Sequence, residues 1–168
     1  MNDTTFVSID IETTGRTPGL HSMISLGAVA YNETGSKLGS FQRNLAPVEG
    51  TVLDADTMKW WNAQTPAAWT AATDGQVPAD VAMHEFDAWV RSFPGRKIAI
   101  SWPAAWDYAF VYYYLIRFVG KSAFGHSALD IKTLAFALTG AFISPRPARK
   151  KGIPACFPVL DTFSRASP

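Results

Sequence analysis

Residues Phe6 to Gly15, Phe-Val-Ser-Ile-Asp-Ile-Glu-Thr-Thr-Gly, constrain this chain more than any other stretch. Phe6, Val7, Ile9 and Ile11 are strand formers, and Thr13-Thr14-Gly15 closes the run with turn chemistry. Side chains two apart on a strand share a face, so Asp10 and Glu12 project together. Two neighbouring carboxylates in a low-dielectric setting repel each other unless a cation lies between them. An apolar strand ending in such a pair therefore reads as part of a metal site, and a ligand set of oxygens suits Mg²⁺ or Mn²⁺ rather than zinc. The plainer reading puts one carboxylate in water and the other at a helix start near Thr13. The buried-looking strand running straight into Thr-Thr-Gly favours the metal.

The 168 residues suffice for one domain with a real core, and 48% hydrophobic with 17% charged residues is a globular composition. A net charge of +1 supplies no global basic field, so any nucleic-acid contact has to be local. Cys156 is the single cysteine and cannot form an internal disulfide, which fits a reducing cytoplasm. Met1-Asn-Asp-Thr-Thr lacks the pattern of a signal peptide, and no apolar run reaches membrane-spanning length. A cytoplasmic protein without membrane contact is expected.

Met23 to Tyr31 reads as a second strand, Asn32-Glu-Thr-Gly35 as a hairpin turn, and Lys37 to Leu45 as a third strand antiparallel to the second. Asp54 or Asp56 caps a helix through Met58-Lys-Trp-Trp-Asn62, and Pro66 opens a short helix through Ala72. Core packing is the default for Trp60, Trp61 and Trp69. An exposed Trp60 or Trp61 beside a carboxylate site would instead stack on a nucleobase, with Trp60 the candidate. Pro78 begins a helix that places Val81, Phe86, Trp89 and Val90 on one side and stops at Phe93-Pro-Gly95. Lys97 to Trp102 is a fourth strand, parallel to the first. The following helix, Tyr108 to Val119, is apolar almost all round and hence buried. Asp107 stands at its mouth, either as an N-cap or at the sheet edge where α/β sites gather. Ser127 to Ile131 is a fifth strand and Lys132 to Leu138 a helix ended by Gly140. Residues 141–168, with five prolines and the cluster Arg146, Arg149, Lys150 and Lys151, form an irregular, Pro-rich basic tail.

Asp-Ile-Glu-Thr-Thr-Gly on the first strand, and Ala-Ala-Trp-Asp107 opening a buried helix after the fourth, together resemble the first two motifs of the DEDD family of 3′–5′ exonucleases. That family includes the DNA polymerase III proofreading subunit, RNase T and oligoribonuclease. The resemblance implies a ribonuclease H-like α/β fold over residues 1–140, with a mixed five-stranded sheet flanked by helices. It also implies removal of nucleotides from the 3′ ends of single-stranded DNA or RNA with two divalent ions, Mg²⁺ or Mn²⁺. Asp10, Glu12 and Asp107 would be the catalytic, metal-binding carboxylates, and Thr13, Thr14 and Gly15 would lie beside the terminal nucleotide.

The family's third motif is a His or Tyr followed by an Asp four or five residues later on a final helix. His21, His84 and His126 all precede Gly140, and His126-Ser-Ala-Leu-Asp130 has the spacing but comes too early. Asp130 reads as a cap for the helix from Lys132. Asp161, the only carboxylate in the tail, is the candidate fourth ligand. The alternatives are an impaired or truncated pseudo-nuclease that binds nucleic acid and, less favoured, an unrelated phosphatase. Haloacid dehalogenase-type phosphatases use Asp-x-Asp, and Glu12 disagrees. A reading-frame shift near Lys151 would account for the abrupt loss of pattern, and a homodimer would cover the core left open.

Overall fold

Alternation along the first strand decides the architecture. Val7, Ile9 and Ile11 are buried on one face, while Asp10 and Glu12 stand on the other. The computed structural model describes residues 3–141; the tail with Asp161, and the position near Lys151, lie outside them. In chain order the elements are β1 (Thr4–Thr13), β2 (Met23–Tyr31), β3 (Lys37–Asn44), α1 (Ala55–Asn62), α2 (Pro66–Thr73) and α3 (Ala79–Arg91). Then come β4 (Arg96–Ser101), α4 (Asp107–Tyr114) with a π-helical turn (Leu115–Val119), β5 (Ala128–Asp130) and α5 (Ile131–Thr139).

The strands form one mixed sheet in the order β3-β2-β1-β4-β5. β2 pairs antiparallel with β1 and β3, while β4 runs parallel to β1 and β5 parallel to β4. The β2–β3 turn is held by Asn32, whose Oδ1 accepts from the amides of Thr34 at 3.1 Å and Ser36 at 2.8 Å. This local bonding explains why an Asn at that position makes the hairpin. The apolar face of β1 and β2 packs under Met83, Phe86 and Val90 of α3 and under Phe110, Val111 and Tyr114 of α4. Tyr114 also ties α4 to the sheet, its Oη accepting from the buried Met23 amide at 2.8 Å.

Three readings need correction. Val81 is 42% exposed, and Ala82 and Met83 take the core positions beside Phe86 and Val90. Five residues of helix turn Val81 roughly 140° away from Phe86, too far to share its face. The helix after Asp107 is α-helical only to Tyr114, loosens into the π-helical turn, and stops at Gly120 with φ of 80°. It is not buried all round either, since Ile116 is 43% exposed: packing on one side of a sheet covers only a stripe of a helix. Finally, Asp107 is not the N-cap. It is the first helical residue, with Trp106 in the cap position and no side-chain capping bond.

Asp130 caps α5 as expected, accepting from the Thr133 amide at 2.7 Å. Its other oxygen accepts from the Ala104 amide at 2.8 Å, which fastens the β4–α4 connection to β5. Among the described residues, no helix is long and apolar enough to cross a membrane.

Candidate active site

The site grows from the end of β1. Asp10 lies opposite Gly27 of β2, and Glu12 opposite Ser25. Both partners are small, and a depression of about 40 Å³ lies between the two carboxylates and Gln42 of β3. On the other edge of β1 the pairing with β4 ends at Ser8. The strands part there, and the Ile11 amide, without a β4 partner, donates instead to Oδ1 of Asp107 at 3.3 Å. A backbone group midway between Asp10 and Glu12 thus holds the third carboxylate, at the open end of a sheet where ligand sites of α/β proteins lie.

Burial drives the electrostatics. Asp107 is 4% exposed, and burial followed by the charges of Asp10 and Glu12 pushes its pKa up to about 8, against the pull of the Ile11 amide. Burial, then the Asp10 charge, raises Glu12 to about 7. Asp10 is solvent-accessible at its rim, yet the protein crowded around it raises its pKa as well. Among the described residues no ion pair neutralises any of the three. Crowded carboxylates without a counter-charge are what a divalent cation relieves, and an all-oxygen donor set fits a hard ion. The fit is one of chemistry and placement: no three His, Cys, Asp or Glu side chains among the described residues already surround a common point. The carboxylates feel each other's charge across the mouth, and side-chain rotation would have to close them.

The turn after Glu12 is committed to the chain itself. The Thr13 carbonyl accepts from Trp61 Nε1 at 3.0 Å, the Thr14 amide donates to Ser22 O at 2.8 Å, and the Thr14 carbonyl accepts from Asp54 N at 2.9 Å. A side chain on Gly15 would overlap the His21 ring and stand 2.7 Å from Asp54 Cβ. The close approach that glycine permits here is to His21 and Asp54, so its service is to lock the turn against α1. Gly15→Ala is expected to cost about 2 kcal/mol by overpacking, lowering the melting temperature by about 5 °C. An unchanged melting temperature in a thermal scan would show that the turn yields.

Beside Glu12 opens a cleft of about 330 Å³, lined among others by Thr13, Arg16, Asp56, Trp60 and Trp106. The sequence left Trp60 and Trp61 as alternatives for an exposed aromatic, and packing separates them. Trp61 is buried and edge-on to Trp69 at 5.0 Å, whereas Trp60 is 52% exposed. Arg16 went unnoticed in the sequence, and Trp106 entered only as part of the Ala-Ala-Trp-Asp107 motif, with no role of its own. Their one signal was adjacency, Arg16 following the Thr-Thr-Gly turn and Trp106 preceding Asp107. The histidines lie elsewhere: His21 is buried with Nδ1 accepting from the Thr17 amide at 3.0 Å, and His84 and His126 are exposed on α3 and before β5.

This geometry has relatives. The model of the family described as the 3′-5′ exoribonuclease Rv2179c-like domain matches residues 5–133. The chain belongs to that family. Over 145 residues this 3′–5′ exonuclease-family chain is 30% identical to the 3′-5′ DNA exonuclease Cap18 of Escherichia coli, with 81% of this chain and 70% of that protein covered. Its fold is similar to the zinc-bound E. coli ExoI–ssDNA complex, with a TM-score of 0.62 at 12% identity. That match covers 80% of this chain but only 29% of ExoI. It is similar also to the nuclease domain of 3′hExo, a DEDDh family member bound to rAMP, with a TM-score of 0.58, 13% identity, and 82% and 71% of the two chains covered. The ribonuclease H-like fold expected from the sequence is therefore the fold of this exonuclease-family chain, and exonucleases of this kind depend on divalent metal. The phosphatase alternative falls with the family assignment.

Proposed function

We propose that this chain is a metal-dependent 3′–5′ exonuclease acting on single-stranded DNA or RNA ends, with Asp10, Glu12 and Asp107 holding Mg²⁺ or Mn²⁺, two ions. The observation that carries the reading is Asp107 bonded to the amide of Ile11, the residue that lies between Asp10 and Glu12 on the strand. When bound, the ions supply an activated water and stabilise the leaving oxygen of a phosphoryl displacement. The chain's own share is placement. The Trp61–Thr13 bond fixes the strand end that bears Glu12, and the Ile11 amide fixes Asp107. Thr13 meets the terminal nucleotide at the cleft, with Thr14 and Gly15 bracing it from behind. Trp60 is half exposed at the cleft, and stacking on it is worth about 1–3 kcal/mol per base whatever the base or sugar. The family description speaks of RNA and Cap18 of DNA, which agrees with a site that reads stacking rather than base edges. Asp161 is our candidate for a fourth ligand, Cys156 points to a reducing cytoplasm, and a homodimer would cover the exposed Leu129, Leu134 and Leu138.

A second reading, binding without turnover, is favoured by the open arrangement of the three carboxylates. Strands labelled at the 5′ end separate the two. We expect stepwise shortening from the 3′ end with Mn²⁺, abolished by EDTA and by Asp10→Ala. Retention of full-length strand that nonetheless binds, whatever the divalent ion, would establish the second reading.

A further inference from the structure

The cleft beside Glu12 contains one cation among its lining residues, Arg16, and that cation is held by acids. Its Nη2 donates to Asp56 Oδ2 at 3.0 Å, and its Nε lies 3.7 Å from Asp54 Oδ2. The two acids are not equivalent. Asp54 is spent on α1, where Oδ2 accepts from the Thr57 amide at 2.9 Å and from Thr57 Oγ1 at 2.7 Å. Asp56 holds Arg16 alone, with side chains 74% and 60% exposed. An exposed pair of that kind contributes about 0.2–1 kcal/mol and is easily exchanged. The backbone beneath it is fixed, because Gly15 is wedged against His21 and Asp54, and the Thr17 amide donates to His21 Nδ1. Arg16 is therefore a mobile guanidinium on a rigid post, at the lip of a cleft whose other charged lining groups, Glu12 and Asp56, are acids.

Resting on the exonuclease reading, we propose that Arg16 is the phosphate-positioning residue of this cleft: when a single strand enters, its guanidinium leaves Asp56 and forks onto a backbone phosphate of the strand stacked on Trp60. Three features favour a phosphate. A strand entering past Asp56 meets an acid at the lip of the cleft and needs a cation on that side, since the chain as a whole supplies a net charge of only +1. A guanidinium pairs with phosphate through two parallel, charge-assisted bonds, stronger than its single contact to Asp56. The reach also suits the task, because Arg16 and Trp60 line the same cleft and phosphate and base of one nucleotide are neighbours. Asp56 is then a parking partner, which shields the guanidinium while the cleft is empty and lowers affinity by competing for it.

The test is the binding of a 5′-fluorescein-labelled oligothymidylate, read by anisotropy over a range of KCl concentrations, in an Asp10→Asn background so that the strand persists. Arg16→Ala is expected to weaken binding about tenfold and to reduce the slope of log affinity against log salt by about 0.7, one phosphate on a single strand. Arg16→Lys should retain the slope and lose part of the affinity, because it keeps the charge without the fork. Asp56→Asn should tighten binding about threefold, and this gain should vanish when Arg16 is already alanine. An unchanged salt slope in Arg16→Ala, with the strand still bound, overturns the role of Arg16 and leaves the exonuclease reading intact. A strand that binds neither this background nor the otherwise unaltered chain, with Arg16 present in both, overturns both.

Discussion

Asp107→Asn is expected to lower the rate of 3′-end hydrolysis by about 10³-fold or more while leaving the fold in place. The side-chain oxygen of asparagine can still accept from the Ile11 amide, so α4 stays docked against β1. What disappears is the negative charge. Charge stabilisation by a bound ion is worth several kcal/mol in a phosphoryl transfer, and each 1.4 kcal/mol is about tenfold in rate. Single-turnover hydrolysis of a labelled strand with Mn²⁺, with circular dichroism as a check on folding, measures it. A rate within tenfold of the unaltered protein would show that Asp107 serves structure only.

The second large effect is on stability against pH in the metal-free protein. Glu12 and Asp107 hold their protons to about 7 and 8 in the fold, against ordinary values of 4.5 and 3.8. Between those limits the native state binds more protons than the unfolded chain, so stability falls as pH rises. The contribution is complete below pH about 4 and is lost by pH about 8. Holding a proton across one further pH unit is worth about 1.4 kcal/mol. For two coupled groups a loss of about 3 kcal/mol, or roughly 10 °C in melting temperature, is a reasonable scale. Asp54 and Asp130 act in the opposite sense but lower on the pH scale. Hydrogen bonds from Thr57 lower Asp54, and at Asp130 the upward push of burial is outweighed by the amides of Thr133 and Ala104. Melting temperatures from pH 5 to pH 8.5 should therefore decline in EDTA, and Mn²⁺ should restore them at pH 8 far more than at pH 5, because protonated carboxyls do not ligate. Asp107→Asn should flatten the decline and melt above the parent at pH 8. A flat profile in EDTA would mean that the carboxylates ionise without penalty.

Much of this was legible along the chain because it is local. Strand-forming residues placed β1, a nearly continuous run of small and apolar residues placed β2, and alternation placed β3, each within a residue or two, and Asn32 and Asp130 announced a turn and a cap because their bonds run to backbone groups close in sequence. Asp10 and Glu12 were readable for the same reason, since the strand itself puts side chains two apart on one face. Asp107 was suggested by its place after a strand. Its meeting with Ile11, 96 residues away, depends on β4 parting from β1 after Ser8, which no local pattern encodes.

Long-range packing decided the rest. Trp60 and Trp61 are adjacent and alike in sequence, and packing with Ile24, Ala72 and Trp69 and the bond to the Thr13 carbonyl make Trp61 the buried one. That the space beside Gly15 is taken by His21 and Asp54 could not be read from the chain. Arg16 had no motif to mark it and gains meaning from Asp56 and the tryptophans across the cleft. The sequence by itself determined the strands, the caps and the acidic pair, because these follow from dihedral preference and from hydrogen bonds to near neighbours. Only the tertiary structure decided that Asp107 bonds the Ile11 amide, that Trp60 is the exposed one of the two tryptophans and that Arg16 pairs with Asp56, because those depend on free energies between residues that meet only once the sheet has closed.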